Sequence, residues 1–496
     1  MAIIRTGGFG PIPASMLTAE IEGLYGTEVL QELRDIVGCY QAYEKGADFT
    51  PEGSNGDYVA AKLKFKQIRK LINKEAAFMF AKPLDFNVET VNEDDNETVK
   101  KEISIIQTFL NKVLKKNLFN SKILKGAKDC FIGKRVAIVL NFNEDSGISL
   151  SFSPSLEFVY ETDETDADKL IKLVIFYTKK DSMEKTAQEI YKKKYWMQNG
   201  FCHVHEATYD GLGKMKEEII KDLTTKFEYI PAVVIINEGL TGDTNGESDV
   251  SHITDTESWF SRLGSADIDS MRKGMNPIKY TVDMDSKSTE NITTGPGAYW
   301  DLQTDDNKDE IESKVGILES DLAYSQSLKT TMERLKSQMH EELSVPDVSS
   351  EKLQGIIASG KSFTGIYWEL IIRCEEKLTV WKPALEFIAS TIIEGAKLYP
   401  ECISRYTTEK KIPDTEYIMT VENNYPIPED EEAEKQTDLA EVNAQTMSRK
   451  FYMKKWRQLT DKEANDELKQ IALERQTLED SFMPPVNEGN KEEELE

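Results

Sequence analysis

The sequence predicts an α+β fold that is mainly helical, and three observations predict it. Apolar residues recur at three- and four-residue steps over long stretches, as in Tyr324, Leu328, Met332, Leu335, Met339 and Leu343, which places them on one helical face. Residues 135–234 instead break into short runs rich in β-branched and aromatic residues. Breakers such as Pro83, Asn276-Pro277 and Pro346-Asp347 separate the segments. At 496 residues the chain has room for about three cores.

Taken in order, residues 1–26 read as an irregular arm, rich in Gly and Pro between Gly7 and Pro13. Helices are expected over 27–44 and 58–80, the second with Phe65, Ile68, Leu71, Ile72, Ala76 and Met79 on one side. Helical periodicity returns over 98–128 through Ile103, Ile106, Phe109, Leu110, Val113 and Leu114. After Gly133 the period shortens. Strands are expected over 136–142, 148–152, 156–160, 170–177, 190–197 and 201–209, forming an antiparallel meander closed by the apolar run 230–236. Asn199-Gly200 marks a tight hairpin between the last two strands.

A loop with Gly239, Gly242 and Gly246 leads to Ser248 and Asp249, which can cap a helix whose apolar face is Ile253, Trp259, Phe260, Leu263, Ile268 and Met271. A small insertion follows, strand-like over 278–302 with a break at 293–297 and a short helix start at 304–310. Beyond the helix that Pro346 ends, the polar segment 348–361 precedes a helix from about Phe363. Its face comprises Tyr367, Leu370, Ile371, Cys374, Leu378, Trp381, Leu385, Ile388 and Ile392, and Pro383 within it predicts a bend rather than an end. After a linker at 423–430, segments 431–456 and 461–480 read as a helical hairpin with a capping box at Thr460 and Glu463. Residues 488–496 form an acidic tail.

A formal charge of −27 and a pI near 4.8 oppose tight non-specific nucleic-acid binding, so any DNA is expected to be held loosely. Cys39, Cys130, Cys202, Cys374 and Cys402 lack a framework spacing, which suits reduced thiols inside a cell. No apolar run approaches the ~20 residues needed to cross a bilayer, so no membrane partner is expected.

Several constellations invite a chemical reading and each has a plainer one. Cys202, His203 and His205 are ligand types, but alternation on a strand sends Cys202 and His203 to opposite faces, and zinc would need His252, His340 or a distant cysteine. Asp243, Asn245, Glu247 and Asp249 lack the full pattern of a calcium loop and read as a turn with a helix cap. Asp305, Asp306, Asp309 and Glu310 suit a first helical turn. Lys192-Lys193-Lys194, beside Tyr191, Tyr195 and Trp196, reads as a strand with solvated cations, with an aromatic-basic nucleic-acid face as the alternative. No phosphate loop, dinucleotide fingerprint, nucleophile elbow or zincin motif occurs. No catalytic residue, metal site or cofactor is predicted.

The order of parts, and the local text of 66–84, 230–249, 345–350, 357–362 and 456–475, resembles the portal proteins of tailed bacteriophages, especially the siphophage type. The resemblance implies an arm (1–26), a wing (27–246), a stem helix (247–272), a small β-containing clip (273–320), a second stem helix (321–344), a tunnel loop (345–360), a kinked helix with wing return (361–424) and a helical crown with the acidic tail (425–496). It also implies a homo-oligomeric ring, usually of twelve subunits, at one vertex of the virion capsid, assembled in the host cytoplasm. Double-stranded DNA would pass along its axis during genome packaging and ejection. Terminase, major capsid and scaffolding proteins and a head-completion adaptor would be its partners. Lys352, Gln354, Ser359 and Lys361 would lie nearest the DNA, with Pro383 at the helix kink. A capsid scaffold or adaptor, or a metal-dependent enzyme built on Cys202, His203 and His205, are the competing classes.

Overall fold

The computed structural model describes residues 26–51, 59–92, 96–179, 189–210, 213–240, 242–243, 245–275, 278–282, 314–318, 323–348, 365–409, 411–426, 431–457 and 459–482. The expected arm, most of the insertion, the polar segment 349–361 and the acidic tail lie outside the described residues. The chain divides into two compact units, Met1–Val348 with Tyr367–Pro426, and Ser349–Ile366 with Ile427–Glu496.

The first unit opens with α1 (Gly26–Lys45) and α2 (Gln67–Phe80). The helix expected over 58–80 is therefore shorter, and the described residues ahead of it are not helical. Lys66, with φ +53°, turns the chain into α2 and offers no side-chain cap. The run expected over 98–128 is likewise two helices, α3 (Glu97–Lys116) and α4 (Phe119–Gly133). Asn117 makes the break. Its buried amide donates 3.0 Å bonds to the carbonyls of Val113 and Ile148, and its Oδ1 accepts 2.9 Å from Leu150 N. One side chain thus ends a helix and ties it to a strand.

The β region is two sheets rather than one meander. β2 (Arg135–Asn143) lies between β3 (Gly147–Pro154) and β9 (Ala232–Ile236). The second sheet runs in sequential order through β4 (Phe158–Thr162), β5 (Leu170–Lys179), β6 (Glu189–Gln198), β7 (Phe201–Tyr209) and β8 (Met215–Thr224). The apolar run 230–236 thus closes the smaller sheet, and a shared core that includes Val139, Phe158, Ile175, Val204 and Phe227 joins the two. The Asn199-Gly200 hairpin forms as predicted, with φ +53° and +83° and Gln198 paired with Phe201. β8 had no apolar alternation to announce it, because it is an edge strand whose residues are nearly all exposed. A further pair, β1 (Asp85–Glu89) with β12 (Ile418–Glu422), joins distant parts of the chain.

Two long helices, α5 (Asp249–Met275) and α6 (Ser325–Glu342), pack against each other. Between them in sequence lies the antiparallel pair β10 (Ile278–Val282) and β11 (Lys314–Leu318). The α6 face follows the predicted spacing, ending in fully buried Met339 and Leu343. The α5 face does not: Trp259 is 53% and Met271 43% exposed, while Glu257, Ser261 and Ser265 are buried. α7 (Trp368–Leu398) runs unbroken through Pro383, which sits on its exposed side, and buries Leu370, Cys374, Leu378, Trp381, Leu385, Ile388 and Ile392.

The second unit holds α8 (Glu431–Asn443), α9 (Arg449–Arg457) and α10 (Asp461–Phe482). The expected first arm of the hairpin is split between α8 and α9, with Gln445 at φ +64° between them. The capping box forms: Glu463 accepts from Thr460 N at 2.9 Å and its own N–H reaches Thr460 Oγ1 at 3.4 Å. The basic helix α9 is held by acids, Lys455 by Asp438 at 2.8 Å and Lys450 and Lys454 by Asp461 at 3.2 Å each.

Candidate functional site: a charged joint at the start of α5

β9 ends beside the strand start of β2, where Asn237 N donates to Lys134 O at 2.7 Å. The following loop folds back on itself, Glu247 N reaching Asn237 O at 2.8 Å. Gly246 permits the closure, since it has φ +68° and a Cβ there would lie 2.6 Å from Asn237 O. This places Asn237 beside the first residue of α5, Asp249, with Nδ2 donating to Oδ1 at 2.9 Å. Ser248 caps the helix, accepting from Val250 N at 3.2 Å and donating to Ile132 O at 2.7 Å.

Asp249 is fully buried and meets two cations from successive turns of α7. Lys377 Nζ lies 2.6 Å from its Oδ2 and Arg373 Nη2 lies 3.0 Å from its Oδ1. Both cations also reach Glu75 Oε1 on α2, at 3.0 and 2.9 Å, and Arg373 binds Glu238 from the loop at 2.5 Å. The Lys377 ammonium stands 3.9 Å over the Phe131 ring. Three elements distant in sequence therefore meet through one ion network. Burial pushes the Asp249 carboxyl up, but Lys377 and Arg373 outweigh it and hold the group below its ordinary value. Burial likewise disfavours the Lys377 ammonium, and the facing Asp249 and Glu75 carboxylates more than restore it. A cleft of about 400 Å³ opens beside this joint, walled by Glu238, Leu240, Glu247, Val380 and Trp381.

Further along α5, a second polar device holds the segment ahead of α2. The backbone N–H groups of Ala61, Leu63 and Phe65 donate to Asp269 Oδ2 (2.9 Å), Ser265 Oγ (2.9 Å) and Ser261 Oγ (3.4 Å). Glu257 completes the series by accepting from Gln67 N at 2.5 Å, Ile68 N at 3.4 Å and Ala47 N at 3.2 Å. The periods match: two extended residues advance about 6.6 Å and one four-residue helical step about 6 Å. Glu257 also puts a carboxylate at the N-terminus of α2, which Lys66 leaves uncapped.

The predicted site residues fare unevenly. Lys352, Gln354, Ser359 and Lys361 lie outside the described residues, as do Asp305, Asp306, Asp309 and Glu310. Pro383 lies on α7, C-terminal to Lys377 and on the exposed side of the helix. Cys202 is buried in the core, whereas His203 Nδ1 meets Asp222 at 2.7 Å and His205 Nε2 meets Glu218 at 3.3 Å across to β8. Among the described residues no group of three metal-ligating side chains gathers. Lys193 binds Asn141 at 2.7 Å, and Lys192 and Lys194 stand over Tyr209 and Trp196. Asp243 makes the expected turn, accepting from Asn245 N at 2.8 Å, but Asp249 is far more than a cap. No described helix is long and apolar enough to cross a membrane.

The long helix α5 is thus locked at its first turn into a body of helices and sheets, and the class the fold defines is α+β. The family described as “Phage portal protein, SPP1 Gp6-like” matches residues 43–480, and the chain belongs to it. It is a phage portal protein, a structural component of the virion at a capsid vertex, and its family is non-enzymatic. Among curated proteins no sequence relative matches the chain. A solved structure, the neck of a native GTA particle computed with C12 symmetry, is similar at 9% identity over 85% of this chain and 92% of that one, with a TM-score of 0.37.

Proposed function

We propose that this chain forms a closed ring, of twelve subunits, through which double-stranded DNA is packaged and ejected. The observation that supports this best is the packing of α5 against α6, with the antiparallel strands β10 and β11 between them in sequence, in a chain of the portal family. In this reading α5 and α6 are the stem and β10 and β11 belong to the clip, which meets terminase during packaging and a head-completion adaptor afterwards. The bodies of 27–246 and 361–424 form the wing, 425–496 the crown, and 345–360 the tunnel loop. Capsid and scaffolding proteins surround the ring during assembly in the host cytoplasm.

The net charge of −27 suits a conduit, because a mostly anionic wall repels phosphates and lets DNA slide. Lys352, Gln354, Ser359 and Lys361 are the loop residues assigned to transient contact with it. Pro383 bends α7 by removing one backbone donor. Pro383→Ala is expected to leave rings intact and to lower packaging yield. Electron micrographs of the purified protein test the ring itself: end-on views with twelvefold symmetry and an axial hole are expected, and a monodisperse monomer across several salt conditions contradicts the proposal.

A further inference from the structure

In the charged joint the buried carboxylates Glu75 and Asp249 share the cations Arg373 and Lys377, while Glu238 at its edge also meets His252 at 3.4 Å. The hydrogen bonds are less evenly matched than the charges. Glu75 Oε2 and Asn237 Oδ1 are both buried without a donor, and each belongs to a side chain already engaged with this network. A proton on the carboxyl would remove one of these orphan acceptors and supply a donor beside them.

Glu75 is the group placed to carry it. Its side chain is 0% exposed, whereas Glu238 keeps 27% exposure and can solvate its charge. Asp249 faces both cations and a donated amide, which fixes it as the ionised partner. A metal ion in this place would stand against Lys377 and Arg373, about 3 Å from the carboxyl they already bind. A proton neutralises the carboxyl and creates no new centre of charge.

We propose that Glu75 carries a proton in the closed joint, and that losing it in alkaline solution loosens α2 from α5 and α7. The groups facing it are Lys377, Arg373 and Cys374 of α7 and Asp249 of α5, with Glu238 reaching the same cations from the loop. Burial raises the Glu75 carboxyl above its ordinary value of 4.5, and the Asp249 charge adds to this against the pull of Lys377 and Arg373. The sign follows from linkage. A carboxyl whose folded pKa exceeds its unfolded one contributes stability that is complete below the unfolded value and is lost as pH rises through the folded one.

The test uses the full-length protein in its native assembly, with Glu75→Gln as an uncharged mimic. Infrared difference spectra between mildly acidic and alkaline solution are expected to show a buried protonated-carboxyl band that disappears with alkali, one component of which, beyond that of the buried Asp129, is missing from E75Q. Melting temperatures of the two proteins should converge in mild acid, with E75Q higher by about 2 °C or more in alkali. If E75Q instead melts lower by the same margin at every pH, and no such component appears, Glu75 is a permanent ion-pair partner and the proposal fails. Glu238→Gln supplies an independent arm should E75Q not fold. Removing that nearby negative charge favours the ionised Glu75, so band loss should move to lower pH, and an unmoved titration overturns the idea equally.

Discussion

At its first residue α5 is held by full charges, and two turns later by hydroxyl and carboxylate groups that receive backbone N–H. Asp249 engages the buried Lys377 and the partly buried Arg373, so each member of that joint is costly to leave alone. Ser261 and Ser265 engage only main-chain groups, Ser265 Oγ also donating to Ser261 O at 2.8 Å, and each loss is local. The joint fixes where α5 begins relative to α2 and α7, whereas the row along its middle fixes the register of the segment beside it. Phe65 sharpens that register: its ring packs edge-on to Phe260 at 5.0 Å and fills the space over Gly264. Ion networks and amide ladders both bury polar groups, with very different consequences when one member is removed.

The largest effect is expected from Asp249→Ala, which takes from Lys377 and Arg373 their shared buried partner, leaving only Glu75 and Glu238, and should cost about 3–5 kcal/mol by denaturant unfolding. A cost below 1 kcal/mol would mean that water reaches the joint. Glu257→Ala should follow at about 2–3 kcal/mol, since Ala47, Gln67 and Ile68 lose their acceptor and α2 loses its cap. Gly264→Ala puts a Cβ 2.6 Å from the Phe65 ring and should cost about 1–2 kcal/mol, recovered in part when Phe65→Ala is added. Additive effects in that cycle would show that the ring does not set the register. Ser265→Ala should be the mildest at about 1 kcal/mol. If it matched Asp249→Ala, the contrast between the two regions would be gone.

Much of the helical frame was legible in sequence, because α7, α6 and the capping box of α10 use local periodicity and local hydrogen bonds. The Asn199-Gly200 hairpin was readable for the same reason. Non-local causes hid the rest. The start of α2 is set by Glu257, which lies 190 residues from the Gln67 amide it accepts. The break between α3 and α4 is made by an asparagine whose other partners are on β3, with no Gly or Pro to announce it. β8 is charged and exposed, and only its pairing with β7 makes it a strand.

The apolar face assigned to α5 was half right for a related reason. Ile253 and Phe260 are buried as expected, yet the inward stripe continues as Glu257, Ser261, Ser265 and Asp269. Polar residues at four-residue steps were a signal present in the sequence, meaningful only once an extended chain is known to lie against them. The joint left a fainter trace, Arg373 and Lys377 one turn apart on a helix that is otherwise apolar on that side, while Glu75, Glu238 and Asp249 come from three separate segments.

α5 is anchored at its start by the joint and separately along its middle by the amide ladder. Hydrogen exchange of the assembled protein carrying Asp249→Ala measures this most directly. Faster exchange is predicted over the first two turns of α5 and over α7 around Arg373 and Lys377, with the amides of Ala61, Leu63 and Phe65 still protected. Unchanged exchange at the helix start, or equal loss of protection along the whole of α5 and its neighbouring segment, would contradict two independent anchors.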